Sequence, residues 1–333
     1  MSESSPTNPA ASIPDADKPK IELQDEIVAT EHIARIGGSE IVYTATTGRI
    51  VMKDEAGKAQ ATVFFIAYTR KNSEDMQRRP ILFSFNGGPG SSSVWLHLGL
   101  LGPRRVLAGD AGQLAPPPYQ LVDNDYSLLD WADIVFIDPV STGYSRAAPG
   151  EEAKQFHGLE RDIESVGEFI RLYVTRYKRW ASPKFLIGES YGTTRAAGLA
   201  GHLQSRHGMY LNGLLLISSV LNFQTIEFEP GNDLPYVLFL PTYAATAWHH
   251  GRLGADLQAD LQKTIQEAST FAAGDYAHAL FQGSALPAET HADIVRRVAR
   301  YTGLSEAYVE ASNLRIEIFR FCKELLRETR RTV

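Results

Sequence analysis

A serine framed by two glycines, in Gly188-Glu-Ser-Tyr-Gly192, follows the apolar run 185–187 and precedes a helix-compatible run, 193–204. That order describes a strand ending in a tight bend that re-enters as a helix, with the Ser190 hydroxyl exposed at the turn as a nucleophile. The flanking glycines leave room for the bend. A second Gly-rich segment, Asn86-Gly-Gly-Pro-Gly-Ser-Ser-Ser93, follows the apolar run 80–85. Its backbone can take positive φ and set an N–H against a reacting carbonyl oxygen. It has neither the Gly-Lys-Ser/Thr ending nor the Gly-x-Gly-x-x-Gly spacing of phosphate-cradling loops, so these residues suit acyl transfer.

Such loops need a sheet to hold them. The runs 41–45, 49–52 and 61–68 are β-branched and aromatic, separated by Thr-Gly and Asp-Glu-Ala-Gly turns, and predict antiparallel strands. Runs 80–85, 133–137, 184–187 and 213–218 are short and apolar, with Gly-rich or helical segments between them. This rhythm predicts a mostly parallel sheet covered on both faces, the α/β class, in which a Gly-x-Ser-x-Gly bend is the nucleophile elbow of an α/β-hydrolase. The spacing of Leu159, Ile163, Val166, Phe169, Ile170, Tyr173 and Val174 predicts a helix over about 151–177. From Asn222 the pattern changes: Pro230, Gly231 and Pro235 interrupt the chain, and 253–270, 287–301 and 305–330 have helical spacing. The predicted organisation is a disordered tail over 1–22, an α/β-hydrolase core over 23–221 and a helical cap insertion over 222–333.

The 333 residues, 44% hydrophobic and 22% charged, can bury a substantial core. A net charge of −6 offers no basic stripe, and Arg327, Arg330 and Arg331 read as a solvated helix end, so nucleic acid is not an expected partner. No apolar stretch approaches the roughly 20 residues of a spanning helix, so no membrane is expected either. The tail has neither a cationic start nor a signal-like apolar core, which gives a cytoplasmic location as the expectation. The single cysteine, Cys322, excludes an internal disulfide, reads as a packing residue, and leaves no structural zinc cluster; no metal or cofactor is expected.

Several strings in order resemble signatures of the serine carboxypeptidase family: Asn86-Gly-Gly-Pro-Gly90 with Ser92-Ser93, Leu101-Gly-Pro103, Ile137-Asp-Pro-Val-Ser-Thr-Gly-Tyr-Ser145 and Gly188-Glu-Ser-Tyr-Gly192. The resemblance spans roughly 40–333. It implies a serine-type peptidase acting in proteolysis on peptides with a free C-terminus. Ser190 is then the acylated nucleophile, and the backbone N–H groups of Gly88 and Tyr191 form the oxyanion hole. Asn86, Gly87 and Glu189 form the site for the terminal carboxylate, which a glutamic acid can bind only in its protonated form.

The sequence also departs from that pattern. Leu100 stands where the family usually carries a second carboxylate, and Ser91 where it usually carries a cysteine. In this fold the triad runs Ser, then Asp or Glu, then His, the last two on loops after later strands. No run after 213–218 reads as a strand. His249, His250, His278 and His291 fall in helical stretches, His202 and His207 end the helix after the elbow, and His97 and His157 precede it. The triad acid and base are therefore not found, and the chain is expected to lack the last strands of the sheet, to have impaired activity, and to leave 213–218 as an exposed apolar edge. Alternative readings are an esterase or acyltransferase of the same fold, or a catalytically inactive fold that binds peptides or partners.

Overall fold

The computed structural model describes residues 23–71, 76–109 and 116–333; the expected tail, 1–22, lies outside them. The chain divides into two compact units, Met1–Leu221 and Asn222–Val333.

The first unit is built on an eight-stranded mixed sheet. Its strands are β1 (Glu26–Ile36), β2 (Ser39–Lys53), β3 (Ala59–Arg70), β4 (Ile81–Phe85), β7 (Asp133–Ile137), β8 (Arg146–Ala147), β9 (Lys184–Glu189) and β10 (Gly213–Ile217), while β5 (Arg104–Val106) and β6 (Leu121–Asp123) make a separate ribbon. The order is β1-β2-β3-β7-β4-β9-β10, with β8 beside β3. β7, β4, β9 and β10 pair in parallel, and β1, β2 and β3 are antiparallel, as expected for an α/β-hydrolase.

Both faces of the sheet are covered, which explains why β4 and β7 read as nearly continuous apolar runs. On one face Phe65, Phe83, Val135 and Leu186 pack against α2 (Leu159–Arg176) and α3 (Tyr191–His207) through Val166, Phe169, Ile170, Leu199 and Leu203. On the other, Leu82, Ile134, Phe136 and Ile187 meet Leu96 of the single turn α1 (Val94–Leu96), Leu101 and Leu129. Glu160 and Asp162 complement the positive N-terminus of α2, and Arg176 its last turn. α2 starts at Leu159 rather than near 151, because Gly158 takes φ 97 and 153–156 coils into a separate short turn.

Two strand expectations are corrected. Runs 41–45 and 49–52 belong to one strand of 15 residues, β2: Thr47 and Gly48 stay extended because β1 and β3 bond to both sides of them. β1 itself was not foreseen, since its glutamates, histidine and arginine hide the alternation. The legible signal was Gly37-Gly38, whose positive φ values close a two-residue hairpin. β10 lies at the sheet edge with Leu214, Leu215 and Leu216 all 37–38% exposed, in keeping with the expected apolar edge.

The second unit is helical among its described residues: α4 (Leu234–His249), α5 (Ala255–Gln258), α6 (Leu261–Phe271), α7 (Ala277–Gln282), α8 (Ala288–Thr302), α9 (Glu306–Ala311) and α10 (Ile318–Glu324). It has its own core around Tyr243, Phe271, Tyr276, Val298 and Phe321. The predicted helix 253–270 is divided by Asp260, whose side chain caps α6 through Lys263 N. The predicted helix 305–330 is likewise broken, at 312–317. α4 was read as interrupted because of Pro235, yet a proline in the first turn costs no hydrogen bond.

Candidate active site

β9 delivers Glu189 and Ser190 to the end of the sheet, and α3 begins at the next residue. Ser190 takes φ 56, ψ −126, a strained backbone that costs on the order of 1–3 kcal/mol and is held by its surroundings. Its N–H donates to the Ile217 carbonyl at 3.0 Å, and its own carbonyl accepts from Thr193 N at 2.9 Å. The bend is too tight for a side chain at residue 188: a Cβ there would stand 2.1 Å from the Gly192 carbonyl oxygen. Ser190 remains half-buried.

The loop after β4 presses against this bend. A Cβ on Gly87 would lie 2.4 Å from the Tyr191 amide nitrogen and 2.7 Å from the Glu189 carbonyl oxygen. The next residue, Gly88, has φ 107, and its N–H meets no acceptor among the described residues. Asn86 is fully buried and makes three links. Its Nδ2 donates to Glu189 Oε2 at 3.0 Å, its Oδ1 accepts from Leu96 N at 3.0 Å, and its carbonyl accepts from Arg195 Nη1 at 2.8 Å. Asn86, Gly87, Gly88, Glu189, Ser190 and Tyr191 therefore converge, although about a hundred residues separate the two segments in sequence.

Residues the sequence did not single out hold this convergence. Arg195, 1% exposed, donates from Nε to Asp162 Oδ2 at 2.8 Å and lies over the rings of Phe85 and Tyr191. It thereby ties α3 to α2 and to the loop. Burial, and then the Asp162 charge, push the Tyr191 phenol up to about 12, so it is neutral over the physiological range. Asp138, within the 137–145 signature, accepts from Ser93 N at 2.8 Å, and its carbonyl accepts from Ser145 Oγ at 2.6 Å. Burial raises the Asp138 carboxyl, against the Ser93 and Tyr144 amides that lower it. No spacing rule links Asp162 to Arg195 across 33 residues, so nothing in the sequence marked the pair.

In this unit the histidines have other partners. His157 meets Ser141 Oγ at 3.1 Å, and His202 lies edge-on to His207. His97 is 8% exposed and shares a 2.7 Å hydrogen bond with Tyr68 Oη. Burial lowers His97 to about 4. Above the ordinary histidine value near 6.5 the group is neutral whether the chain is folded or not. As pH falls from about 6.5 to 4 only the unfolded chain takes the proton, so stability is lost through that window, by a total of about 3 kcal/mol. His97→Leu is expected to flatten the pH dependence of the urea midpoint between pH 7 and 4 relative to the parent; parallel profiles would show that His97 is not the titrating group.

Leu100, where a second carboxylate was expected from the resemblance, is 46% exposed on the turn His97–Leu101.

Comparison with known sequences accords with this arrangement. The profile described as serine carboxypeptidase matches residues 46–306, which takes in both loops, the 137–145 segment and the elbow. The chain belongs to the serine carboxypeptidase family. Among its relatives, serine carboxypeptidase-like 29 of Arabidopsis thaliana is 30% identical over 158 residues, 45% of this chain and 29% of that protein. The pheromone-processing carboxypeptidase KEX1 of Cryptococcus gattii is 30% identical over 146 residues, 43% of this chain and 20% of that protein. The chain thus spans less than a third of the length of these two relatives. Among solved structures, the prohormone-processing carboxypeptidase from Saccharomyces cerevisiae aligns with 78% of this chain and 53% of its own, at 21% identity and a TM-score of 0.47.

Family membership corrects one expectation. A carboxypeptidase that processes a pheromone, a secreted peptide, works on the secretory route, so a cytoplasmic location does not stand. The lack of a signal-like run in residues 1–20 does not by itself locate a protein.

Among the described residues no helix is long and apolar enough to cross a membrane.

Proposed function

We propose that Ser190 is the acyl-accepting nucleophile of a carboxypeptidase-type hydrolase that acts on peptides with a free C-terminus. The observation that carries this reading is the Asn86–Glu189 hydrogen bond of 3.0 Å, set beside a strained serine whose bend touches Gly87. In the proposed reaction the Ser190 oxygen attacks the last peptide carbonyl, and the N–H groups of Gly88 and Tyr191 receive the oxyanion. The proton that Ser190 gives up goes to the nitrogen of the terminal residue as its bond to the carbonyl breaks, and water later hydrolyses the acyl-serine ester, its hydroxyl going to the acyl group and its proton to the Ser190 oxygen. Asn86, Gly87 and Glu189 hold the terminal carboxylate.

A serine not paired with a histidine is a weak nucleophile, and the histidines of the first unit are engaged elsewhere. Turnover by residues 1–333 alone is therefore proposed to be slow, with an oxyanion site and binding leaving a residual acceleration of about 10³–10⁴-fold over water. With an N-blocked dipeptide, slow release of the last residue is expected, lost in Ser190→Ala and lost when the peptide C-terminus is amidated. Release that survives Ser190→Ala would remove Ser190 from the role.

The exposed Leu100 favours a second reading, an esterase or acyltransferase using the same acyl-serine. A simple ester cleaved faster than any peptide with a free carboxylate would select it.

A further inference from the structure

β1 stands at the end of the main sheet and, among the described residues, has a neighbouring strand on one side only, β2. Gly37-Gly38 closes the hairpin with Ile36 opposite Ser39, and from there the backbone alternates. Ala34, His32, Thr30 and Val28 turn their N–H and C=O toward β2; Ile33, Glu31, Ala29 and Ile27 turn theirs to the open side. Arg35 confirms the phase, since its N–H points away from β2 and donates to Asp123 Oδ2 at 3.0 Å. That bond closes the edge at residue 35. From Ile33 back to Ile27 no backbone group takes up the open side among the described residues.

Exposed edges are commonly blunted by a proline, a bulge or a lysine, and β1 has none of these over its 11 residues. Its carboxylates are paired within the chain, Glu26 with Arg49 and Glu31 with Lys71, which lowers the charge that another strand would meet. Val28 and Ile33, on opposite faces of the strand, are 63% and 62% exposed. Both leave water when a further strand is added.

The strand fits a second copy of itself. An antiparallel pairing centred on Thr30 sets Ile27 against the partner's Ile33, Val28 against the partner's His32, Ala29 against the partner's Glu31, and Thr30 against its twin. The open N–H and C=O groups of Ile27 and Ala29 then face those of the partner's Ile33 and Glu31, the phase that antiparallel hydrogen bonding needs. A centre at Ala29 sets Ile27 against the partner's Glu31, and a centre at Glu31 sets that carboxylate against its twin. Only the Thr30 centre among the three pairs apolar with apolar and keeps like charges apart.

We infer that β1 is the contact surface of a homodimer, in which the two β1 strands pair antiparallel about a two-fold axis at Thr30 and the two sheets run on as one. β1 is five strand positions from β9, about 24 Å at ordinary strand spacing, so Ser190 of each copy stays open and the inference stands apart from the proposed reaction.

The full chain is followed by sedimentation equilibrium from about 1 µM to 1 mM, and its mass is expected to rise toward that of two chains. Ala29→Pro removes an outward N–H from each copy and none that bonds β2, and is expected to weaken the dimer about tenfold or more with circular dichroism unchanged. Two cysteine variants, each in a chain carrying Cys322→Ser, read the register. Across a pair that is not hydrogen-bonded the Cα atoms lie about 4.5 Å apart, within disulfide reach, so oxidised Thr30→Cys is expected to run as a covalent dimer. Glu31→Cys is displaced from its twin by about 7 Å along the strand and is expected to stay a single chain. If Ala29→Pro alters the circular dichroism, the cysteine variants decide. A parent that stays monomeric up to about 1 mM, a folded Ala29→Pro chain that dimerises as tightly as the parent, or a Thr30→Cys chain that links no better than Glu31→Cys overturns the inference.

Discussion

Arg195→Met is expected to destabilise the first unit by about 3–5 kcal/mol, the usual cost of leaving one member of a buried ion pair alone. Asp162, only 8% exposed, loses its guanidinium partner, while the Asn86 carbonyl loses its 2.8 Å donor. The loss should register as faster hydrogen exchange in the amides of α2 and α3, and as a lower urea midpoint. Adding Asp162→Leu removes the stranded charge and should recover most of the stability, because two apolar groups of similar volume replace the pair. If the single variant costs less than 1 kcal/mol, the pair is not the fastening described here.

Gly87→Ala is expected to reduce acylation of Ser190 by about 10²–10³-fold, the effect of losing an oxyanion donor in serine hydrolases. The new methyl would meet only backbone, at 2.4 Å from Tyr191 N and 2.7 Å from Gly192 N, and backbone cannot swing aside as a long side chain can. The loop must retreat from the elbow, taking the Gly88 N–H with it. The rate of labelling by a fluorophosphonate reads this directly. Gly99→Ala serves as the comparison, since a Cβ at that position meets nothing within 4 Å. Equal labelling rates for the two variants would place the oxyanion elsewhere.

The central sheet was legible because strands buried on both faces must be apolar along most of their length: 80–85, 133–137 and 184–187 each mark their own position. The hairpin of β1 and β2 was not, because an exposed strand tolerates Glu26, His32 and Arg35, and neighbours on both sides keep Thr47-Gly48 extended against its turn-forming tendency. α4 was missed for a related reason, since Pro235 in its first turn replaces an N–H that has no helical partner.

The site divides along the same line. Residue type and local order alone determined that Ser190 ends a strand and opens a helix, and that a Gly-rich loop follows β4, because a tight bend and a close backbone approach restrict which residues can stand there. Only the tertiary structure decided that the two meet, with Gly87 against Tyr191 and Asn86 bonded to Glu189. The same is true of the Arg195–Asp162 pair. Those contacts are set by how β4 and β9 lie side by side and by which face α2 covers, distances in space that no spacing along the chain encodes.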